Sequence, residues 1–286
     1  MPKTANALLL MLPGLLWLLL LLVVPCAVIF AMAFFERGVY GGVDYSSVTL
    51  ANFRRAADPL YLAILLDSGR IALTATLLSI LLAYPAAYAI TRARPRLQPT
   101  LLVLVMLPFW SNYLIRTYAW MVLLNREGPI NALLTSIGAI NAPLDMLYNE
   151  FAVVLGLVYN YSPFVILAIY AALQRLDPAF AEASRDLGAS AWLTFRRITL
   201  PLTLPGVAAG GVFVFVLSIG NFVTPDLLGG GRMQMVGNLI YDQFLTARDW
   251  PFGATLSMVL IGIMMALLFV QALSAQGAGG RRLRHG

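Results

Sequence analysis

The sequence predicts an all-α polytopic membrane protein with six transmembrane helices. Three observations carry that prediction: an apolar composition that water cannot solvate, six unbroken apolar segments of spanning length, and basic residues gathered on one side of the spans. Of 286 residues, 60% are hydrophobic and 11% charged, against roughly 45–50% and about 25% in soluble domains. A chain this apolar needs lipid as its solvent. In hydrocarbon every backbone N–H and C=O must pair within the protein, which leaves helices or closed barrels. Barrel strands alternate apolar and polar positions, whereas the apolar stretches here are long and continuous, so they read as helices.

The six segments cover about 7–35, 68–91, 100–124, 151–173, 204–228 and 254–273. Each is near or above the ~20 residues that cross the hydrocarbon core. The first has a rival reading as a cleaved signal peptide, with Lys3 as its basic start and Ala31-Met32-Ala33 as its small-residue cleavage pattern. Its apolar stretch from Leu8 to Ile29 exceeds the usual core of about 7–15 residues, which favours a retained helix bent at Pro13 and Pro25. The connection 36–67 is long for a structureless loop and is expected to hold some helix, around 50–66. Tyr84-Pro85 and Ser162-Pro163 suggest bends in the second and fourth spans. Gly229-Gly230-Gly231 reads as a flexible turn. The Gly/Arg-rich stretch 275–286 reads as a disordered tail.

The loops give orientation. Six spans put both termini on one side. That side carries eleven bases (Lys3, Arg92, Arg94, Arg96, Arg175, Arg185, Arg196, Arg197, Arg281, Arg282 and Arg284) against three acids, a net +8. The opposite side carries seven arginines against ten acids, a net −3, and Arg116 alone lies within a span. Basic loops stay cytoplasmic, so both termini are expected inside. The overall charge of +6 is therefore a topology signal, and nucleic acid is not an implied partner.

Catalytic chemistry has little raw material. The single histidine, His285, sits in the tail, and the single cysteine, Cys26, lies in an apolar run. A membrane hydrolase would want a Ser–His pair, a metal motif or a carboxylate pair at membrane depth. The acids sit near span ends. The single lysine, Lys3, has no Gly-x-x-x-x-Gly before it, so the sequence holds no P-loop. Neither enzyme chemistry nor a cofactor is expected in this chain.

The loop 174–203, between the fourth and fifth spans, is the most informative segment. Asp177 is a good N-cap, Pro178 a good first helical residue, and Gly188 suits the position after a helix end. A short helix follows, with Phe180, Ala183 and Leu187 on one face. Ser190 can cap a second helix ending before Pro201. On these grounds alone the segment fits an amphipathic helix on the membrane interface equally well.

Resemblance separates the two readings. Glu182-Ala183-Ser184, then Gly188 after three residues, then Ile198-Thr199-Leu200-Pro201 after nine, resembles the E-A-A…G…I-x-L-P pattern of ABC-importer permeases, with Ser184 in place of the second alanine. Leu107-Pro108-Phe109-Trp110, Leu114-Ile115-Arg116-Thr117-Tyr118, Ser162-Pro163-Phe164, Asp226-Leu227-Leu228-Gly229-Gly230 and Arg248-Asp249-Trp250-Pro251-Phe252-Gly253 look like spermidine/putrescine-type permeases. The likeness spans about 50–255. It implies the type I importer fold in a bacterial inner membrane, transporting polyamines or a related solute such as an opine. It implies a second permease subunit of different sequence, a pair of ATP-binding subunits carrying ATP and Mg, and a periplasmic solute-binding protein. The loop is then the coupling helix, with Phe180, Glu182, Ala183, Ser184, Leu187, Gly188 and Pro201 as its expected contact and turn residues. An ATP-independent secondary transporter would share the composition but not this loop.

Polar groups inside spans are costly and default to functional candidates. Trp110, Asn112 and Tyr113 on the third span, Tyr159, Asn160 and Tyr161 on the fourth, and Asn221 and Asp226 at the outer end of the fifth are the solute-path candidates. Aromatic faces and amide or carboxylate oxygens suit an ammonium-bearing chain. Arg116 would repel a cation, so a structural role toward backbone carbonyls or a partner suits it better.

Overall fold

The computed structural model describes residues 3–280, with side-chain placement over 11–273. Helices dominate. Five are long and apolar enough to cross a membrane: Met11–Met32, Pro59–Arg92, Glu150–Gln174, Ala191–Ile219 and Trp250–Leu273. A bent pair, Gln98–Trp110 and Tyr113–Ser136, meets at 86° and makes six if the pair is one span. The chain forms two compact units, one of residues up to Ala63 with Leu239–Ile263, the other of Ile64–Asn238 with the remainder.

The first unit opens with α1 (Lys3–Leu18), a π-helical turn Leu19–Val23, and α2 (Val24–Met32). Pro13 lies inside α1, and Pro25 lies just past the π turn inside a helix that runs on from Met11 to Met32, where its missing N–H leaves a carbonyl of the preceding turn without its helical partner. The connection expected to hold helix contains an antiparallel hairpin as well. Strands β1 (Phe35–Arg37) and β2 (Val43–Val48) pair through a bulge, and α3 (Ala51–Ala56) follows. Gly41 and Gly42 adopt φ +91° and +82°, the left-handed turn that glycine permits.

Asn52 stitches α3 to the hairpin, donating to the carbonyls of Ala33 and Phe35 at 3.2 and 2.8 Å. The Arg248–Gly253 motif closes this unit. Asp249 accepts from Arg55 Nη1 at 2.6 Å and from the Phe252 N–H at 3.2 Å, capping the helix that starts at Trp250. The Arg55 guanidinium lies 3.8 Å from the centroid of the Phe252 ring.

The second unit carries most spans. They are α4 (Pro59–Arg92), α5 (Gln98–Met106) with a 3-10 turn Leu107–Trp110, α6 (Tyr113–Leu124), α7 (Pro129–Ser136) and α8 (Glu150–Gln174). Next come α9 (Pro178–Asp186), α10 (Ala191–Thr194), a π turn Phe195–Thr199, α11 (Leu200–Ile219) and α12 (Val223–Gly229). The last helices, α13 (Val236–Leu245) and α14 (Trp250–Gly280), are divided between the units, with Leu239–Ile263 in the first. The third span breaks after Pro108 because Ser111 and Asn112 are extended, at ψ 152° and 137°. The fifth breaks at Gly220–Phe222. Pro85 and Pro163 sit inside continuous helices. Gly230 and Gly231 hold φ +59° and +73° at the end of α12, a left-handed cap. The C-terminal stretch read as disordered is helical through Gly280; 281–286 lie outside the described residues.

Two apolar clusters hold this unit. One joins Ile71 and Ala75 of α4, Leu124, Val153 and Leu157 of α8, and Leu228. The other joins Ala83 and Tyr84 of α4, Val165 and Ile169 of α8, and Val207 and Val214 of α11. Close approach depends on missing side chains: a Cβ on Gly206 would lie 2.4 Å from Ala172 Cβ, and one on Gly156 2.5 Å from Leu228 Cδ1. Gly206→Val is expected to separate α8 from α11 at a cost of about 1–3 kcal/mol. Thermal unfolding in detergent should show a midpoint several degrees lower, while Gly262→Val, whose Cβ meets nothing within 4 Å, should leave it unchanged.

Candidate functional site

Two assemblies in the second unit gather the candidate residues. The first is the loop between α8 and α11. Asp177 Oδ1 accepts from the Ala179 N–H at 2.9 Å and starts α9. Gly188, at φ +78°, ends it: its N–H reaches Arg185 O at 2.9 Å, and the Ala189 N–H reaches Ser184 O at 3.1 Å. Ser190 then caps α10, accepting from the Leu193 N–H at 3.3 Å. The chain does not stop before Pro201. It stays helical from Ala191 through Ile219, passing through the π turn into α11, with Pro201 in the first turn of α11. The second arm of the loop is thus continuous with the fifth span.

The loop presents an apolar surface. Phe180 is 56% exposed, Leu187 88% and Trp192 69%. Glu182 and Ala183 are exposed beside them. Ser184 shares the side of α9 that carries Phe180 and Leu187 but sits deeper. It is buried, and its hydroxyl lies 2.9 Å from that of Thr194, also buried. Between α9 and the following arm lies a hollow of about 560 Å³ lined by Phe180, Leu187, Leu193 and Arg197 among others. Sequence reasoning missed Trp192 and Thr194. Thr194 sits ten positions beyond Ser184, across the turn, and no local period links them.

The second assembly is polar and lies where the break before α6 meets the junction of α11 and α12. Asn221 Nδ2 donates to the hydroxyls of Tyr113 and Tyr161, each at 2.6 Å. Asn221 Oδ1 accepts from the Thr224 N–H at 2.9 Å, and Tyr113 and Thr224 share a short hydroxyl contact. Three of the candidates, Tyr113, Tyr161 and Asn221, therefore share one network, with Thr224 as a fourth member that the sequence did not single out. Its signal was the Asn-x-x-Thr spacing of a helix start. The network is uncharged and ties α6, α8 and the α11–α12 junction.

The other candidates are scattered. Trp110 is 79% exposed, and Asn112 is spent capping α6, where its Oδ1 accepts from the Leu114 N–H at 2.8 Å. Tyr159 is 37% exposed and meets Trp120 edge-on with 5.4 Å between centroids. Asp226 is exposed on the first turn of α12. Asn160 is 1% exposed, with neither amide atom hydrogen-bonded. Arg116 is buried, donates to Pro108 O at 3.1 Å and lies 4.4 Å from the Phe109 ring centroid. It serves a carbonyl freed by the break.

Comparison with known proteins decides the family. The family described as binding-protein-dependent transport system inner membrane component matches residues 94–285, about two thirds of the chain. This chain belongs to that family. It is a permease subunit of an ABC transporter and an inner-membrane protein. The permease is 40% identical over 255 residues to the spermidine/putrescine transport system permease protein PotB of Haemophilus influenzae, covering 89% of this chain and 88% of that one. The PotB of Escherichia coli K12 is likewise 40% identical, over 258 residues, covering 89% and 92%. Among solved structures, a chain of a bacterial ABC transporter that imports the acidic polysaccharide alginate matches at TM-score 0.71, covering 96% and 97%. At 19% identity that likeness speaks for the fold, the type I ABC-importer permease fold.

The Ser184–Thr194 pair gives a test. Removing either hydroxyl leaves the other buried and unpaired, at about 1–3 kcal/mol. Ser184→Ala and Thr194→Val should each lower the thermal midpoint of the purified permease. The double variant should recover most of the loss, as a double-mutant cycle on one contact requires.

Proposed function

We propose that this chain is the permease subunit of an ATP-driven importer of polyamines, and that α9 is its dock for the ATP-binding subunit. The observation that carries the cargo is 40% identity, over 89% of the chain, to permeases named for spermidine and putrescine. What supports the dock is the exposed apolar face of Phe180, Ala183 and Leu187, with Glu182 exposed on a neighbouring side, on a helix fixed at both ends by Asp177 and Gly188. In this reading both termini face the cytoplasm. A second permease chain, a pair of ATP-binding subunits and a periplasmic solute-binding protein complete the importer. ATP and Mg are bound by the partner, and this chain does no hydrolysis of its own.

Mechanically, closure of the ATP-binding subunits displaces α9. Because the arm after Ser190 runs unbroken into α11, that displacement acts directly on the fifth span. The network of Tyr113, Tyr161, Asn221 and Thr224 joins the far end of α11 to α6 and α8. Opening there breaks hydrogen bonds among neutral groups, each worth about 0.5–1.5 kcal/mol net, a scale that nucleotide binding can reverse. Trp110, Asn112, Tyr159 and Asp226 remain candidates for solute contact. Asn160, with an unpaired buried amide, joins them.

Two measurements test this. Glu182→Lys and Gly188→Asp, in the importer assembled in proteoliposomes, should each cut spermidine uptake by about tenfold or more, on the scale of coupling energies of 1–3 kcal/mol. Uptake unchanged in both would remove the docking role. For the cargo, cells lacking their own polyamine uptake should import radiolabelled spermidine when given this permease with its partners. Trp110→Ala, Tyr159→Ala and Asp226→Asn should weaken that import, and import of an opine in place of spermidine would reassign the cargo.

A further inference from the structure

Beyond the dock itself, the loop contains a side-chain route to a span that is not its chain neighbour. Trp192, 69% exposed on α10, stacks on Phe195 with ring centroids 5.5 Å apart and planes 24° apart. Phe195 lies on the π turn and meets two rings of α4 edge-on, Tyr84 at 5.5 Å and Tyr88 at 5.6 Å. Tyr84 is buried, and its hydroxyl lies 2.8 Å from Thr203 Oγ1 on α11. Thr203 donates its own proton to the carbonyls of Thr199 and Leu200, so Tyr84 is the donor between them. A line of rings therefore runs from the exposed loop surface to the inner part of α4, pinned at its far end to α11.

We propose that this Trp192–Phe195–Tyr84/Tyr88 stack carries the displacement of the loop to α4, with Phe195 as the positioning residue. Covalent continuity already links the loop to α8 and α11. The loop is not joined to α4 by a connecting segment, and a span left behind would shear against Val165 and Val207 of the second apolar cluster. Edge-on rings resist compression because close-packed interiors deform little. They also slide less readily than aliphatic chains, whose rotamers can change. The π turn places Phe195 where it can reach α4 while the helix continues.

The inference rests on the docking role of α9, and the experiment separates the two. The importer, reconstituted with its ATP-binding and solute-binding partners, is assayed for ATP hydrolysis and spermidine uptake together. Phe195→Ala should keep binding-protein-stimulated hydrolysis while the ATP consumed per spermidine imported rises about tenfold, the scale of coupling lost along such routes. Phe195→Tyr, which keeps the ring, should restore the parent ratio. Phe195→Leu keeps apolar volume without the ring and should resemble the alanine variant. It decides the matter if Phe195→Ala does not assemble. An unchanged ratio in Phe195→Leu overturns the proposal, as does equal loss of hydrolysis and uptake in an assembled complex. If Glu182→Lys uncouples while Phe195→Leu does not, the dock stands and the ring route falls. If neither Glu182→Lys nor Gly188→Asp has an effect, the docking role itself fails.

Discussion

Every break in a membrane helix frees backbone groups that water cannot satisfy, and this permease is organised around supplying those partners. The helix breaks at Ser111–Asn112, in the third apolar run, and at Gly220–Phe222, where the fifth span ends and α12 begins. At the first break Arg116 and Ser111 both donate to Pro108 O, at 3.1 and 2.7 Å, and Asn112 caps the helix that resumes. At the second, Asn221 caps through Thr224, and Asn238 donates to Phe222 O at 2.8 Å. The same Asn221 side chain joins Tyr113 and Tyr161. The polar residues that looked like a solute path are thus, in part, the groups that make the breaks affordable in lipid. The buried Arg116 meets one carbonyl and the rings of Phe109 and Tyr113, while its Nε has no hydrogen-bond partner.

The cytoplasmic loop follows a different logic. Its surface is apolar and unshared within the chain, while its interior is fixed by small polar contacts. Ser184 shows why the departure from the usual alanine is tolerable: Thr194 stands opposite and takes its hydroxyl. Gly188 is required by its left-handed φ, which a side chain would strain. These local contacts hold α9 at a set angle to the arm that continues into α11, so a load on one reaches the other.

In the first unit, the Arg248–Gly253 motif turns out to be architectural. Asp249 both pairs with Arg55 and caps the helix at Trp250, and the Gly42 N–H bonds to Arg248 O at 2.8 Å. The motif's resemblance value and its physical role are separate facts. The first was visible as a string of letters, whereas the second needed Arg55, nearly two hundred positions away.

The sequence by itself determined that the chain lives in lipid, where its apolar runs lie, and that the segment from Asp177 to Gly188 is a capped helix. Those follow from composition, length and local hydrogen bonding, which act over a few residues. It also carried the family, through fixed spacing from Glu182 to Pro201. Only the tertiary structure decided that the third and fifth runs are broken, that the helix passes Pro201 without a stop, and that a hairpin forms over Phe35–Val48. It alone brought Tyr113, Tyr161 and Asn221 together and left Trp110 outside their network. Hydropathy averages over a window and so cannot see a two- or three-residue break. Contacts such as Ser184–Thr194 or Phe195–Tyr84 depend on helices meeting in space, which no local pattern encodes.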